Sequence, residues 1–467
     1  MGTAVFVDPL NLFWDQHGIY SLSAVLRRDG FDTHYVSSRD PSALLKKVLA
    51  LKPDAVLYSA FSTTVPNAIA FDRRLRLAAP GVVSVIGGPG VTYDHGAIDD
   101  STIDAYCVGE GEASLPGFLR SGQPSGNIVA RGARPSGCLD ELLDLDSLPL
   151  PDRSVIYATD SLLANAPNKQ FLSGRGCPYR CTYCMNHAFN QMFKGLGKII
   201  RKKSVGRLIE EVNGVKTRYP LNTVIFNDDT FILDRKWLDE FFSRFRSETG
   251  VAYTCNIRAN LMTDDIARGL KESGCANVNW SIEAGNDHLR NEVLKRKMSR
   301  EQIQHAADLL HRHAIPFRIG NIIGLPGESE AMARETLEIN MAAKPAMALA
   351  NIFVPFPGVE LTEYAVAGGY YSPSNMVPKD YFTKSILNFD EDYKPFIYKL
   401  MCLFPVFSSW PWMYKHAAIQ KMLFSLPRAA LRIIYEAIYT TRMARFYSGR
   451  TPLRQKVRMA IRYLRNL

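Results

Sequence analysis

Three cysteines, Cys177, Cys181 and Cys184, lie within eight positions in the stretch GRGCPYRCTYC. Three thiolates on one tight loop can hold three irons of a [4Fe–4S] cube and leave the fourth iron open. An open position is what a catalytic metal site requires, because the amine and carboxylate of a substrate can bind there and accept an electron. The spacing therefore predicts a catalytic iron–sulfur cluster.

Two other interpretations of the triplet stay open on spacing alone. A structural zinc ion requires a fourth ligand, and His187 lies three residues beyond Cys184. The three residues could also be ordinary core thiols, although a loop that contains Gly and Pro is an unusual place for them. The sequence predicts no cluster role for the five other cysteines, which are Cys107, Cys138, Cys255, Cys275 and Cys402.

The composition of the chain limits the classes of protein to which it can belong. The chain has 467 residues, of which 46% are hydrophobic and 22% charged, which is typical of a globular protein with two or three domains. The N-terminus MGTAVFVDPLN lacks the basic and apolar regions of a secretory signal, and no run approaches the roughly 18 apolar residues of a spanning helix. We therefore expect a cytoplasmic protein whose cysteines are thiols or metal ligands.

Strand and helix patterns alternate in two series along the chain. Residues 1–125 contain five short β-branched strands separated by helices, which predicts an α/β, Rossmann-like, doubly wound domain. The segment 126–168 is rich in Pro, Gly, Ser and Asp and is interpreted as a linker. Residues 169–375 contain six further strands with intervening helices, typical of a partial (β/α)6, TIM-like barrel whose chemistry lies at the carboxyl ends of the strands.

The last region, 376–467, is predicted to be helical, rich in aromatic residues and basic. The chain has a net charge of +10, yet residues 411–467 alone carry twelve Lys or Arg and a single acid, Glu436. We expect an amphipathic helix here to cover the open end of the barrel, with peripheral contact to an anionic membrane as the alternative. No recognisable nucleic-acid module accompanies the charge, so nucleic acid is not expected. The predicted apolar face of the helix is Leu431, Ile434, Tyr435 and Ile438.

Placed after the first barrel strand, the cysteine motif resembles the signature of the radical S-adenosylmethionine (SAM) enzymes, C-x3-C-x-aromatic-C, with Tyr183 as the aromatic residue. The resemblance implies that a cluster electron cleaves SAM to methionine and a 5′-deoxyadenosyl radical, which abstracts hydrogen from an unactivated carbon. It also implies that Tyr183 packs on the adenine and that Asp228 or Asp229, in FNDDTF, binds the SAM amine. An N-cap of the next helix is the other interpretation of these two acids.

Further positions match the family at the ends of the later strands. The resemblance implies that Arg258 in NIRAN holds the SAM carboxylate, although an Arg there can also be a structural ion pair. Ser281 and Glu283 in SIEAG resemble ribose-contacting residues. In the family, an acid follows a motif on the next strand. This chain has a glycine at that position, so the neighbouring Glu328 is given no role. That motif, G-x-I-x-G, has a backbone that meets the adenine edge, and its matching residues are Gly320, Ile322 and Gly324.

The first domain resembles the cobalamin-binding domain of cobalamin-dependent radical SAM enzymes. The stretches YSAFSTT, IGGPGVT and CVGEGEAS carry the resemblance, and their small residues let the backbone approach a flat corrin ring. The cobalamin-binding residues that it implies are Ser59, Thr63, Gly87, Gly88 and Gly109.

The stretch DQHGIY matches part of a D-x-H-x-x-G motif that supplies a lower cobalt ligand in many cobalamin proteins. Asp15 and His17 fit, but Tyr20 stands where the motif has Gly. We therefore expect His17 to begin a helix or face solvent, and cobalt to have no protein nitrogen as a ligand. The alternative is a domain that keeps the fold but binds no cobalamin.

The resemblance implies a methyltransferase of the kind called class B, with a [4Fe–4S] cluster, SAM and cobalamin as cofactors. One SAM would supply methyl to cobalt, and a second would form the radical that activates a carbon of a small-molecule or lipid-like substrate. A low-potential electron donor of the flavodoxin or ferredoxin type is an expected partner. A radical cyclase or ring-rearranging enzyme of the same build is the first alternative, and a non-catalytic cluster-bearing protein is the second.

Overall fold

A computed structural model describes residues 2–12, 14–135, 139–373 and 384–447. Cys138, the basic residues from Arg450 onward and the start of the predicted helical region, 376–383, lie outside these described residues. The described chain forms two six-stranded sheets one after the other, with a two-stranded ribbon beside the second, followed by a helical unit.

The first sheet is built from short apolar segments of the N-terminal third of the chain. Its strands are β1 (Thr3–Asp8), β2 (Asp32–Ser37), β3 (Ala55–Ser59), β4 (Val83–Gly87), β5 (Ala105–Cys107) and β6 (Ile128–Ala130). The strand order is β2-β1-β3-β4-β5-β6, and the first five strands are parallel. The predicted doubly wound domain is thus confirmed. The helices on and beside this sheet are α1 (His17–Arg28), α2 (Pro41–Ala50), α3 (Val65–Ala78), α4 (Pro89–Thr92) and α5 (Leu115–Ser121).

The segment interpreted as a linker is folded into the structure. Strand β6 lies in it and pairs antiparallel with β5, at the edge of the first sheet. Two short helices follow, α6 (Ser154–Tyr157) and α7 (Ser161–Asn165). The buried Arg153 guanidinium contacts Asp15 of the first domain and Glu211 of the second. The segment therefore joins the two domains through buried contacts.

The second sheet is an open barrel of six parallel strands, as predicted. Its strands are β7 (Asn168–Phe171), β10 (Thr223–Phe226), β11 (Ala252–Asn256), β12 (Cys275–Glu283), β13 (Phe317–Ile323) and β14 (Met347–Ile352). The order is β14-β13-β12-β11-β10-β7. A separate antiparallel ribbon, called the ribbon below, consists of β8 (Gly174–Arg175) and β9 (Arg201–Lys202).

Four helices of the barrel begin where the sequence supplies a capping side chain. The N-cap residues Ser204, Asp234, Ser299 and Ser329 each accept a backbone N–H of the first helical turn. Such caps satisfy donors that the helix itself leaves unpaired. The barrel helices are α8 (Met185–Met192), α9 (Val205–Arg218), α10 (Arg235–Thr249), α11 (Asp264–Glu272), α12 (Arg300–Arg312), α13 (Glu330–Ala343) and α14 (Glu360–Ala367).

The C-terminal helices cover the barrel. They are α15 (Tyr393–Ser409), α16 (Pro411–Lys415), α17 (Ala417–Ser425) and α18 (Arg428–Tyr447). Helix α15 packs on β14 and α13, and the predicted apolar face of α18 packs into the same core. At the amino-terminal end of the barrel, Asn168 and Asn277 donate hydrogen bonds to the backbone carbonyls of Tyr447 and Phe446. The described part of α18 therefore packs on α15 and reaches the amino-terminal end of the barrel, and its apolar face is part of the protein core.

This packing removes the apolar face of α18 from any other partner. Its residues Leu431, Ile434, Tyr435 and Ile438 all belong to, or pack against, the core formed with α15. Within the described residues, no helix is both long enough and apolar enough to cross a bilayer.

The covering role of α18 predicts a contrast between two residues on that helix. Leu431 is fully buried, whereas Ile433 is 71% exposed. The substitution Leu431→Ala should lower the free energy of unfolding by about 2–5 kcal/mol, because it leaves a cavity under the helix. Ile433→Ala should change it by less than about 0.5 kcal/mol. Urea denaturation of both variants measures the difference, and equal effects would contradict the packing of α18.

Candidate active site

The three cysteines lie on the loop between the ribbon strand β8 and helix α8. Gly176 opens this loop with φ of +91°, and a Cβ there would lie 2.2 Å from the carbonyl oxygen of Ile199. Only glycine therefore fits this turn. Further along, the Asn190 side chain donates to the Cys177 carbonyl at 2.8 Å. The loop is thus held in shape from both ends.

All three cysteines line one cavity of about 300 Å³, called the cysteine cavity below. Cys181 is buried and the other two are half-buried. Nowhere in the described chain do three His, Cys, Asp or Glu side chains converge on a single metal ion. Cysteines that each hold a different iron of a cube need no such convergence, so the donor set fits a [4Fe–4S] cluster.

The zinc alternative would have required His187 as the fourth ligand. Its Nε2 lies 3.3 Å from Glu360 Oε2, and His187 is absent from the lining of the cysteine cavity. The structure therefore brings no fourth ligand to the three cysteines from this position.

Tyr183 and Glu283 meet on one wall of the cysteine cavity. The Tyr183 hydroxyl donates to Glu283 Oε1 at 2.8 Å, and Arg296 Nη1 donates to the same hydroxyl oxygen at 2.8 Å. Glu283 ends β12 at a register shift, with φ of +70°. A non-glycine residue in this conformation is strained, and such strain is common at functional sites. Burial raises the pKa of Glu283, although Arg296 opposes the effect.

The two adjacent acids after β10 have different environments. Asp228 is buried, accepts from the backbone N–H of Ser173 at 2.9 Å and pairs with Lys202 at 3.0 Å. Asp229 is exposed and lines the cysteine cavity. The geometry therefore separates residues that the sequence treats as equivalent, with Asp228 paired inside the protein and Asp229 on the cavity wall beside its hydrogen-bond partner Asn186.

Arg258 and Arg296 place two guanidinium groups beside Cys181. Arg258 Nη1 lies 3.7 Å and Arg296 Nη1 3.9 Å from the Cys181 sulfur. Arg258 also donates to Asn260 Oδ1 at 2.8 Å and to the Arg296 carbonyl, and its guanidinium lies over the Tyr179 ring. Arg258 lines the cavity, but several of its donors already have partners in the protein.

Ser281 and Gly320 face each other across β12 and β13, and both line the cysteine cavity. A Cβ on Gly320 would lie 2.9 Å from Ser281 Oγ, so glycine allows this close approach. The other two residues of the predicted motif lie elsewhere. Ile322 packs in an apolar cluster with Tyr183, and Gly324 donates its N–H to Glu328.

Glu328, which the sequence left without a role, ties the barrel to its helical cover. Its Oε2 accepts from the Gly324 N–H and from the Tyr393 hydroxyl at 2.9 Å, the latter at the start of α15. Burial raises the pKa of Glu328 to about 7. The carboxyl thus links the end of β13 to α15 outside the cysteine cavity.

A second cavity of about 270 Å³, called the glycine cavity, lies at the carboxyl ends of β3, β4 and β5. Four of the five residues expected to bind cobalamin line it, and Thr63 does not. Apolar side chains such as Leu57, Val85 and Leu115 form much of the remaining wall. A slot of small and apolar residues suits a flat, largely apolar ring system, so the residues fit cobalamin. The four lining residues are Ser59, Gly87, Gly88 and Gly109.

His17 also lines the glycine cavity, at the first residue of α1. The expectation that His17 begins a helix is thus confirmed. Its Nε2 atom is enclosed and has no hydrogen-bond partner among the described residues, so this nitrogen does not face solvent. Burial and the nearby Arg153 lower the pKa of His17 to about 4, which keeps the ring neutral at pH 7. Asp15 does not orient it, because Tyr20, Tyr157 and the backbone N–H of Gln170 all donate to that carboxylate, at 2.6–2.8 Å.

Sequence reasoning missed several charged residues at the two cavities. Arg296 contacts Tyr183 and Cys181, yet its local sequence KRK resembles an ordinary solvated run. Arg175, Glu110 and Glu112 line the glycine cavity and pair with one another. The two acids stand inside the stretch CVGEGEAS, which drew attention for its glycines alone.

Comparison with known proteins agrees with this geometry. The model of the Radical SAM superfamily matches residues 171–339, and that of the B12 binding domain matches residues 4–119. The chain is 25% identical over 338 residues to an uncharacterized methyltransferase of Pyrococcus horikoshii, covering 70% of this chain and 72% of that protein. It is 23% identical over 385 residues to the anaerobic magnesium-protoporphyrin IX monomethyl ester cyclase of Rubrivivax gelatinosus, covering 74% and 66%.

A solved structure extends the likeness to the whole fold. The cobalamin-dependent SAM radical enzyme OxsB, with aqua-cobalamin and SAM bound, aligns with a TM-score of 0.68 at 13% identity. The alignment covers 100% of this chain and 75% of that one. The two family matches together span more than half of the chain. The first contains the whole lining of the cysteine cavity, and the second contains the lining of the glycine cavity except Leu172 and Arg175. With a [4Fe–4S] cluster, SAM and cobalamin as its cofactors, the chain belongs to the radical SAM superfamily as a cobalamin-dependent enzyme.

Proposed function

We propose that this enzyme methylates an unactivated carbon of a small-molecule or lipid-like substrate. One observation carries the proposal: the cysteine cavity and the glycine cavity are neighbours. Arg175 lines the glycine cavity, and Cys177, only two residues further on, lines the cysteine cavity. A substrate bound where the two cavities meet would have access to both cofactors. When bound, the cofactors supply the electron, the radical and the methyl group.

The residues of the cysteine cavity divide the work of binding SAM. The three cysteines hold the cluster, and Asp229 is the acid proposed to pair with the SAM ammonium. Arg258 is proposed to hold the carboxylate, while its contact with Cys181, like that of Arg296, adds an N–H donor to a cluster sulfur. Hydrogen bonds to the sulfurs tune the reduction potential of such clusters.

The adenosine part of SAM is proposed to lie along β12 and β13. Tyr183 presents an aromatic ring, and Glu283 and Ser281 present oxygen atoms that can accept from ribose hydroxyls. Gly320 leaves room for the close approach of an adenine edge, as it does for Ser281. Ile322 and Gly324 support this wall from behind, since neither lines the cavity.

Cobalamin is proposed to bind over the glycine cavity through Ser59, Gly87, Gly88 and Gly109. Thr63 lies outside the lining and is proposed to act only through the loop that it shares with these residues. The neutral His17 ring lies inside the cavity, where its free nitrogen can hydrogen-bond to the buried part of the cofactor.

The partners of the enzyme follow from this chemistry. Besides its substrate, the enzyme is proposed to require a flavodoxin or ferredoxin as a low-potential electron donor. Contact with an anionic membrane is proposed for the surface outside the apolar face of α18, where Trp412, Lys415 and Lys421 are exposed. Co-sedimentation with anionic vesicles at low salt tests this contact, and the absence of binding there would exclude it.

A cyclase or ring-rearranging reaction is the second candidate function. The observation in its favour is the similarity to the Rubrivivax gelatinosus cyclase, which spans 74% of this chain. Such a reaction would use the same cysteine cavity without transfer of a methyl group. The two candidates differ in the products of SAM, which allows them to be separated without knowledge of the substrate.

The products of SAM are the first test. Reduced, cofactor-loaded enzyme incubated with SAM should form both S-adenosylhomocysteine and 5′-deoxyadenosine, measured by liquid chromatography with mass spectrometry. Formation of 5′-deoxyadenosine alone would favour the cyclase, and formation of neither would leave a non-catalytic protein. Replacement of Cys177, Cys181 or Cys184 by Ala should abolish iron binding and 5′-deoxyadenosine formation. Cys275→Ala, at a buried cysteine of β12, is the matched control and should retain both.

The separate roles of Asp228 and Asp229 predict that the same substitution affects SAM binding at one position and the stability of the fold at the other. Asp229→Asn should weaken SAM binding without lowering the melting temperature, because its carboxylate faces the cavity. Asp228→Asn should destabilise the fold by about 3–5 kcal/mol, because it leaves the Lys202 ammonium buried without its partner. Equilibrium dialysis with labelled SAM and thermal denaturation measure the two effects. Weaker SAM binding in the Asp228 variant alone would reverse the assignment.

The engaged Asp15 carboxylate predicts that His17 does not ligate cobalt. In the Co(II) state, the electron paramagnetic resonance spectrum should show no nitrogen splitting from a lower axial ligand. His17→Ala should leave that spectrum unchanged and weaken cobalamin binding modestly. If nitrogen splitting is present in the wild type and absent in the variant, His17 is a ligand and the assignment is wrong.

A further inference from the structure

Four charged side chains join the two halves of the active site. They come from the ribbon on one side and from the loop after β5 on the other, and this set is called the clamp. Arg175 Nη1 lies 3.0 Å from Glu110 Oε2, and Arg175 Nη2 lies 2.7 Å from Glu112 Oε1. Arg201 contacts both oxygens of Glu110, at 2.6 and 2.9 Å. The members of the clamp are therefore Arg175, Arg201, Glu110 and Glu112.

The ribbon explains why the two arginines act together. Arg175 and Arg201 are directly paired across its two strands, so both guanidinium groups approach the first domain side by side. A Cβ on Gly174 would lie 2.6 Å from the Arg201 carbonyl oxygen, which shows how closely the two strands approach. A planar guanidinium that binds both oxygens of a carboxylate fixes orientation as well as distance.

The clamp is too well enclosed to be an incidental surface pair. The side chains of Glu112 and Arg201 are each only 5% exposed. Ser21 adds a hydrogen bond to Glu112 at 2.6 Å, and Arg201 adds one to the Leu143 carbonyl at 2.8 Å. Burial alone would raise the pKa of Glu112, but Arg175 and Ser21 stabilise its carboxylate, and the pKa lies below its ordinary value. Removing any one partner would leave a buried charge uncompensated.

The ribbon also forms hydrogen bonds with residues beside the cysteine cavity. Lys202, the residue after Arg201, donates to Asp228 at 3.0 Å and to Ser173 Oγ at 2.8 Å. Asp228 is adjacent to Asp229 of the cavity lining, and Arg175 is two residues before Cys177. One short ribbon thus contacts the walls of both cavities.

We propose that Arg175 and Arg201 are positioning residues that set the distance between cobalamin and the iron–sulfur cluster by clamping Glu110 and Glu112. Both arginines act through the loop of the first domain and need not contact a substrate. The substrate must meet groups held in both cavities, so a shift of about 1 Å in one cavity against the other would slow the reaction ~10²-fold. This inference is tested below by two measurements, and only the second, the ratio of SAM products, rests on the proposed function.

The test uses Arg201→Lys, which keeps the positive charge but loses the fork that binds both oxygens of Glu110. Arg134→Lys is the matched control, because Arg134 pairs with Asp99 at an exposed site of the first domain, where the two side chains are 55% and 34% exposed. Both proteins are loaded with cluster and cobalamin, and the content of each cofactor is measured. The first readout is the faster spin relaxation of Co(II) that a nearby reduced cluster causes, and the second is the ratio of S-adenosylhomocysteine to 5′-deoxyadenosine.

The Arg201 variant should retain both cofactors, show a weaker relaxation effect and give a product ratio lowered up to ~10²-fold. The control should match the wild type in all three respects. Unchanged relaxation in a fully loaded Arg201 variant would overturn the proposal, as would a wild type whose cobalt shows no effect of the cluster. If the wild type forms no S-adenosylhomocysteine, the proposed methyl transfer fails, while the relaxation readout still decides the role of the clamp.

If Arg201→Lys itself loses a cofactor, the milder substitution Ser21→Ala replaces it. This change removes the hydrogen bond that Ser21 donates to Glu112 and the one that it accepts from Arg175, and it leaves all four charges in place. A smaller weakening of the relaxation effect in the same direction would support the clamp. The same relaxation as in the wild type, with cofactor loss confined to the Arg201 variant, would show that Arg201 serves stability alone and would overturn its positioning role.

Discussion

A parallel sheet presents all of its carboxyl-terminal loops at one edge, and both cavities of this enzyme depend on that constraint. Ser59 and Gly87 end β3 and β4, and Glu283 ends β12, so residues far apart in the sequence meet at the two edges. Loops at such an edge are free of ladder hydrogen bonds and can carry cysteine, glycine and charge. The fold must also fix the distance and orientation of one edge with respect to the other.

Buried charge pairs between the two domains hold the two edges in position. Arg153, from the segment between the domains, contacts Asp15 of the first domain and Glu211 of α9, and its guanidinium lies 4.0 Å from the Phe171 ring centroid. Charge pairs of this kind contribute little net stability relative to apolar packing, but each one is costly to break. They therefore suit a boundary that must hold one geometry, and the ribbon continues the same arrangement beside the cofactors.

The sequence predicted those features that repeat or that need several residues of one type. Alternating strands and helices predicted both sheets, and the spacing of the three cysteines predicted a cluster site, because periodicity and ligand spacing are local properties. Residues whose role depends on the partner they meet were not predictable. Asp228 and Asp229 are the same residue type side by side, and only the three-dimensional position of Lys202 separates them. Arg296 looked like part of a solvated basic run, and the three residues of β6 were too short for a pattern.

All of the chemistry described above requires one chain to hold a catalytic cluster and cobalamin at the same time. Native mass spectrometry of anaerobically reconstituted enzyme measures this directly, since each cofactor adds its own mass to the folded chain. We expect a dominant species that carries one [4Fe–4S] cluster and one cobalamin on a single polypeptide. A species with zinc in place of iron, or with a cluster and no cobalamin under saturating cofactor, would contradict it.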